Sequence, residues 1–286
     1  MEIVVGKMAG FCAGVLNAVK QTEEILNEKK VVYCLGELVH NKQVIEKLEK
    51  KGMKTVNELT EIPNGSTVIF RAHGEPKERY EEAKNKNLDI RDLTCGNVTV
   101  IHRKVEKEKE DAFIIILGKK KHPEVIGTKG FSGKNCYVIE DEDDILDAYM
   151  EYEKTDIGRV YVVAQTTISS KKFDELAREI EKNFIETEVI VDKTICNATE
   201  VRQKETREMA KKFHTMIIIG GKNSSNTKEL VKIAEENCQN VYAIETVEEI
   251  QEIDFSNIKC IGIMAGASTP KESIENVKKY LERYSK

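Results

Sequence analysis

The sequence has no cysteine pair of the C-x-x-C kind, no flavin or nicotinamide fingerprint, no low-complexity tract and no long apolar run. Each absence removes a class of protein. Zinc favours closely spaced cysteine pairs, and a structural zinc needs four protein ligands. A membrane span needs roughly 20 consecutive apolar residues, and none of the apolar runs approaches that length. Met1–Gly10 reads as a short strand rather than a cleavable apolar leader, so the expected localisation is cytoplasmic. Neither half carries a basic stripe, and the net charge is -5, which excludes nucleic acid as an expected partner. Lys119, Lys120 and Lys121 form only a short cluster that reads as solvated loop charge. Tryptophan is also absent, which excludes nothing.

Seven cysteines are present. The odd count and the lack of a leader argue for a reducing compartment rather than a disulfide framework. Cys34 and Cys260 lie inside apolar strands, Cys136 precedes an apolar YVI, and Cys238 ends a helical pattern. These four read as small core residues. The other three share a position in a threefold internal repeat. Cys12, Cys95 and Cys196 each stand directly before a stretch with apolar residues at helical spacing. After each helix comes an apolar strand ending in glycine, at Gly36, Gly118 and Gly221. A polar loop then carries His40 and Asn41, His122, or Ser224, Ser225 and Asn226.

A second strand and polar loop complete each copy, as TVIFRAHG with His73, VYVVAQTT with Thr166 and Thr167, and CIGIMAGAST with Ser268. Pro76 and Pro270 lie near helix starts, where a missing N–H matters little. Copies one and two end in a strand running into the next cysteine, whereas copy three has none. The opening EIVV reads as that missing strand. The expected fold is therefore α/β, three similar parallel units closing into a ring around one central site with three sulfur ligands. Their expected limits are 12–95, 96–195 and 196–286, with 1–11 joining the third. Polar loops at strand carboxyl ends are where parallel sheets bind ligands.

The three cysteines are 83 and 101 residues apart, so they could meet only through tertiary structure. Iron–sulfur clusters are built on cysteine thiolates. Three thiolates on a [4Fe–4S] cluster leave one iron open as a Lewis acid. Helix amino ends suit an anionic group. His40, His73, His122, Ser224, Ser225, Asn226 and Ser268 form a donor set suited to phosphate oxygens, although Ser and Asn also favour turns and caps. His102 and His214 lie within helical patterns and read as packing or surface residues. Glu124, in HPEV, could pass protons to a leaving hydroxyl if burial adjusts its pKa. Thr166 and Thr167 could hydrogen-bond that carboxyl or a substrate hydroxyl.

In order along the chain stand GFCAGV at Cys12, HN at His40, AHG at His73, TC at Cys95, HPEV at His122, QTT at Thr166, ICNAT at Cys196, KNSSN at Ser224 and AGAS at Ser268. On these motifs the chain resembles the LytB family of 4-hydroxy-3-methylbut-2-enyl diphosphate reductases, from about residue 1 to 284. The resemblance implies an α/β trefoil of three similar α/β domains around a central iron–sulfur site, with Cys12, Cys95 and Cys196 holding the cluster. It implies that His40, His73, His122, Ser224, Ser225, Asn226 and Ser268 hold the substrate diphosphate, with Thr166 beside the substrate and Glu124 delivering protons. The implied reaction takes up two electrons and two protons and releases the 4-hydroxyl as water, giving isopentenyl and dimethylallyl diphosphate. Ferredoxin or flavodoxin is the implied electron donor.

Three positions depart from the family's usual pattern: Gly96 where proline is frequent, Arg71 in place of a small residue, and Lys121 where glycine is frequent. Two alternatives stand beside the resemblance. A quinolinate synthase-like trefoil enzyme also uses three cysteines, but its dicarboxylate substrates would favour arginine donors. A non-catalytic iron–sulfur redox sensor would need a fourth protein ligand.

Overall fold

The computed structural model describes residues 1–251, 253–255 and 258–284, so the last two residues of the expected third domain lie outside it. The chain opens with β1 (Glu2–Val5) and α1 (Ala13–Glu28). The first repeat continues through β2 (Val32–Leu35), α2 (Lys42–Glu49), β3 (Met53–Val56), β4 (Thr67–Phe70), α3 (Lys77–Asn85) and β5 (Asp89–Asp92). The second runs α4 (Gly96–Glu108), β6 (Phe113–Leu117), α5 (Pro123–Lys129), β7 (Cys136–Ile139), α6 (Asp144–Tyr152), β8 (Arg159–Ala164), α7 (Ser170–Asn183) and β9 (Glu188–Val191). The third runs α8 (Asn197–Ala210), β10 (Thr215–Ile219), α9 (Ser225–Glu235), β11 (Asn240–Ile244), β12 (Cys260–Ala265) and α10 (Lys271–Tyr284).

These strands form three four-stranded sheets, in the orders β3-β2-β4-β5, β7-β6-β8-β9 and β1-β12-β10-β11, with every pairing parallel. Numbered within its own repeat, each sheet has the same order, second-first-third-fourth. In the last sheet the place of the fourth strand is taken by β1, paired from Glu2↔Cys260 to Val5↔Ile263. The N-terminal strand therefore completes the third sheet, as its sequence pattern predicts.

Burial explains why these segments are strands. The central β6 (FIIIL) and β10 (TMIII) are buried at every residue. Parallel sheets covered on both faces require such continuous apolar runs, rich in β-branched residues. Alternation then divides the side chains between faces. Phe113, Ile115 and Leu117 enter one core with Phe173, Leu176 and Ile180 of α7, while Ile114 and Ile116 enter another with Ile101 and Val105 of α4. The edge strands β1, β5 and β9 are mostly half-exposed.

The chain divides into two compact units. One comprises Met1–Leu16, Val39–Lys47 and Asn197–Lys286 and contains the sheet completed by β1. The other comprises Asn17–Leu38 and Leu48–Cys196 and contains the remaining two sheets.

The shared strand order places the switch point of each sheet between its two central strands, β2 and β4, β6 and β8, or β10 and β12. Ligands bind outside the strand carboxyl ends at such a point. All six loops that leave these central strands carry the polar residues singled out above. Gly36 ends β2 with φ at +71°, and a Cβ there would sit 2.1 Å from Arg71 Nη1. The positive φ is what favours glycine here; the guanidinium, at the end of a flexible side chain, could shift for a Cβ.

The departures at Arg71 and Gly96 have local accounts. Arg71 Nε donates to Glu75 Oε1 at 2.9 Å. Burial raises the Glu75 carboxyl above its ordinary pKa, and the guanidinium opposes that rise. Gly96 is the first residue of α4, and a Cβ added there meets nothing within 4 Å. Cys95 before it has φ -58° and ψ 135°, with a ψ that a following proline accepts. Gly96→Pro is expected to raise the melting temperature of the apoprotein by about 1–3 °C, through lower unfolded-chain entropy. A fall measured by thermal denaturation would show that the Gly96 N–H or its freedom is needed. Nothing in the structure explains Lys121, which is exposed.

Candidate active site

The three singled-out cysteines have equivalent positions. Each immediately precedes a helix: Cys12 before α1, Cys95 before α4 and Cys196 before α8. In each copy the cysteine N–H donates to a carbonyl in the loop after that sheet's third strand. The pairs are Cys12 to Ala267 at 3.0 Å, Cys95 to Ala72 at 3.0 Å and Cys196 to Thr166 at 3.1 Å. The cysteine backbone is thus tied, three times over, to a loop carrying an expected substrate ligand: Ser268, His73 or Thr166.

In the first unit, Cys12 Sγ accepts from the Val15 N–H at 3.4 Å. The chain before it is clamped by Arg202 of α8, a side chain only 1 % exposed. Arg202 donates from Nε to Met8 O and from Nη2 to Gly10 O, both at 2.9 Å. Glu205 accepts from the Lys7 and Met8 N–H groups at 2.7 and 2.8 Å. Sequence reasoning missed both residues; their only signal is a charged pair at i, i+3 in a helix, common to many solvated faces.

The same unit brings His40, Ser224, Ser225, Asn226 and Ser268 to strand carboxyl ends. Ser268 Oγ donates to His40 O at 3.1 Å. A Cβ on Gly221 would lie 2.4 Å from that same oxygen, so glycine after β10 is required for the His40 loop to pass. Ser224 caps α9, its Oγ accepting from the Thr227 N–H at 3.3 Å. Capping, the bland reading of Ser224, is therefore real. Asn226 behaves differently. It is buried, and among the described residues neither Nδ2 nor Oδ1 has a hydrogen-bond partner. A buried amide left unbonded costs free energy on the order of 1–3 kcal/mol. Two residues at one helix start, Ser224 capping and Asn226 with its amide unspent, match a site that waits for an oxyanion.

In the second unit, His122 is the N-cap of α5, and its Nδ1 accepts from the Glu124 N–H at 3.2 Å. In the neutral ring that places the proton on Nε2. The His73 and His122 rings meet edge to face with centroids 5.5 Å apart. Glu124 is buried. Its Oε1 accepts from the Thr166 N–H at 2.5 Å, and its Oε2 accepts from Thr166 Oγ1 at 2.9 Å. Burial raises the Glu124 pKa to about 7, and the two Thr166 hydrogen bonds pull against that rise. Such a value allows proton donation near neutral pH. Thr167, by contrast, accepts from Gln165 Nε2 and serves its own loop.

His102 is packing, as its helical position suggests. Its ring stacks on Phe131 at 4.4 Å and lies beneath Gly74, where a Cβ would approach Cε1 to 2.6 Å. Burial lowers its pKa to about 4. Cys34 is buried in β2 with its thiol pushed up to about 12 by burial, which suits a core residue. Cys136 is pushed up to about 11.

The chemistry of the donors fits an iron–sulfur cluster. Cys12, Cys95 and Cys196 are free thiols, partly accessible, each at a helix amino end, where partial positive charge favours an anion. They therefore define a class: an α/β protein of three parallel sheets whose threefold-equivalent thiols suit an iron–sulfur group. The particular family follows from comparison. The model of the LytB protein family matches residues 3–282. A 4-hydroxy-3-methylbut-2-enyl diphosphate reductase of Clostridioides difficile is 41% identical over 284 residues, 99% of each chain. That of Aquifex aeolicus is 42% identical over 288 residues, 99% of this chain and 96% of its own. Among solved structures, the E-1-hydroxy-2-methyl-but-2-enyl-4-diphosphate reductase of Plasmodium falciparum aligns with a TM-score of 0.88 at 30% identity, over 99% of this chain and 87% of that one. A structure of (E)-4-hydroxy-3-methyl-but-2-enyl diphosphate reductase, described as the terminal enzyme of the non-mevalonate pathway, aligns with a TM-score of 0.72 at 41% identity, over 99% and 100%. The chain belongs to the LytB family. That membership favours the reductase expectation over the quinolinate synthase-like and sensor alternatives. No helix among the described residues is long and apolar enough to cross a membrane.

Proposed function

We propose that this chain reductively dehydroxylates (E)-4-hydroxy-3-methylbut-2-enyl diphosphate in the methylerythritol phosphate route to isoprenoids. The alcohol, two electrons and two protons give isopentenyl or dimethylallyl diphosphate and water. In this reading Cys12 and Cys95, at the two ends of the domain 12–95, and Cys196, at the start of the domain 196–286, hold a [4Fe–4S] cluster, with the domain 96–195 completing the trefoil. When bound, the cluster supplies single electrons and one iron free of protein ligands. Ferredoxin or flavodoxin is the proposed donor of those electrons, in the cytoplasm.

The chain's own side chains bind and protonate. His40, His73, His122, Ser224, Ser225, Asn226 and Ser268 are assigned to the diphosphate. Neutral and protonatable donors can match its several charges without a fixed excess of cations. Asn226 has both amide atoms unspent among the described residues, and His122, with Nδ1 accepting on its own helix, carries its proton on Nε2 as a donor. Thr166 holds the Glu124 carboxyl through two bonds, orienting it toward the substrate hydroxyl. Glu124 donates the proton with which that hydroxyl leaves as water.

The observation that carries the reading is the Glu124–Thr166 pair, a buried carboxyl with a pKa of about 7 on the residue whose carbonyl holds Cys196 N–H. The test is anaerobic, reconstituted enzyme, reduced with dithionite and viologen and given the hydroxylated diphosphate. Mass spectrometry is expected to find C5 diphosphates lacking one oxygen. Unchanged substrate with a fully loaded, reducible cluster would contradict the reading.

A further inference from the structure

The three thiols are alike in backbone setting but not in their side-chain surroundings. Two residues beyond Cys12 stands Gly14, and two beyond Cys196 stands Ala198. Neither has a side-chain donor. Two beyond Cys95 stands Asn97, on the first turn of α4, and its Nδ2 lies 2.9 Å from Cys196 Sγ. The helix of one cysteine thus reaches the sulfur of another, 99 residues away in sequence. The amide orientation follows from charge. A carbonyl oxygen facing a thiolate would set two acceptors against each other, whereas N–H donates to it. Asn97 is exposed and is not a helix cap; Cys95 holds that position.

We infer that Asn97 is a positioning residue that raises the reduction potential of the cluster by donating a hydrogen bond to the Cys196 thiolate. This rests on the proposal that Cys196 ligates a cluster. The physical reason is that an added electron increases negative charge on the ligating sulfurs. A fixed N–H dipole stabilises that state more than the oxidised one, and hydrogen bonds to sulfur are among the levers that set such potentials. The net strength of one hydrogen bond is about 1 kcal/mol, so the effect is modest and one-directional.

The test is potentiometric titration of reconstituted holoenzyme, with the reduced cluster read by electron paramagnetic resonance. Iron and sulfide content is measured in parallel. At a potential poised on the wild-type midpoint, Asn97→Leu is expected to lower the reduced-to-oxidised ratio about fivefold. At 59 mV per tenfold for one electron this is a shift of about 40 mV to more negative potential. Asn97→Asp, which replaces the donor by a charge, is expected to shift further in the same direction, and Asn97→Gln to recover part of the loss. If Asn97→Leu loads iron poorly, Asn97→Ser and Asn97→Asp read the same quantity. Midpoints coincident with wild type at full cluster content would overturn the role of Asn97 alone. A wild-type protein that assembles no cluster, or a Cys196→Ser variant with an unaltered one, would overturn the ligand assignment and this inference with it.

Discussion

Glu124→Gln is expected to lower kcat by about 100-fold or more while leaving iron content and affinity for the diphosphate close to wild type. General acid catalysis by a positioned group is typically worth about 10²–10⁴ in rate. Glutamine keeps the size of the side chain and an acceptor for the Thr166 N–H, so the loop carrying Cys196 is held as before. It cannot give up a proton. Steady-state turnover under anaerobic conditions, with calorimetric binding to the oxidised enzyme, separates the two effects. Near-wild-type kcat would remove Glu124 from proton delivery.

The same variant has a stability signature whose sign follows from burial. The folded-state pKa of Glu124, about 7, lies above its ordinary 4.5. Its contribution to stability is therefore fully present below about pH 4.5 and lost as the pH rises through 7. Above that, the folded protein carries a buried carboxylate, a penalty on the order of 3 kcal/mol. Glutamine never ionises. The melting temperature of the Glu124→Gln apoprotein relative to wild type should rise between pH 5 and 8. A difference independent of pH would mean that the carboxyl is not desolvated. In wild type, turnover should fall as the pH passes above 7, because the acid is spent.

Cys95→Ser is expected to abolish the intact four-iron cluster and with it all turnover, whereas Cys34→Ala should keep the iron content per folded chain. The contrast tests the repeat as well as the ligand. Both are cysteines of the first repeat. Cys34 lies in the buried centre of β2, and its loss opens a cavity that costs stability. Cys95 stands at a helix start, with its N–H fixed by Ala72 O. Serine there retains the backbone geometry but not a soft thiolate, the ligand such clusters are built on. Chemical iron and sulfide determination after anaerobic reconstitution decides it. Full cluster content with normal activity in Cys95→Ser would refute the assignment.

The strands were legible because parallel central strands must be apolar throughout. Segments such as FIIIL and TMIII admit no other use in a chain this charged. The missing strand of the third copy could be found at the amino end for the same reason, since the other two copies showed what EIVV should precede. Site loops were legible through position: a polar cluster straight after a buried strand in a parallel sheet lies at a carboxyl end. Asn226 could be singled out by type, but not its unspent amide, which only packing determines.

What could not be read are contacts between residues far apart that have ordinary identities. Arg202 fixes the turn before Cys12 from nearly 200 residues away, and as one of many charged helix residues it carries no mark. Arg71 looked like a departure because its partner, Glu75, becomes visible as such only when the fold buries Glu75 and sets the Arg71 guanidinium between it and Gly36. Asn97 follows Cys95 but serves Cys196. The division into two compact units, with 39–47 grouped with the last third of the chain, likewise depends on tertiary contacts that periodicity does not encode.

The most direct test of the whole account is Mössbauer spectroscopy of anaerobically reconstituted, iron-57-labelled protein with and without the hydroxylated diphosphate. Three thiolates and no fourth protein ligand predict that one iron in four changes its spectrum when the substrate is added, and the other three do not. Four irons that respond alike, or a spectrum the substrate leaves untouched, would contradict it.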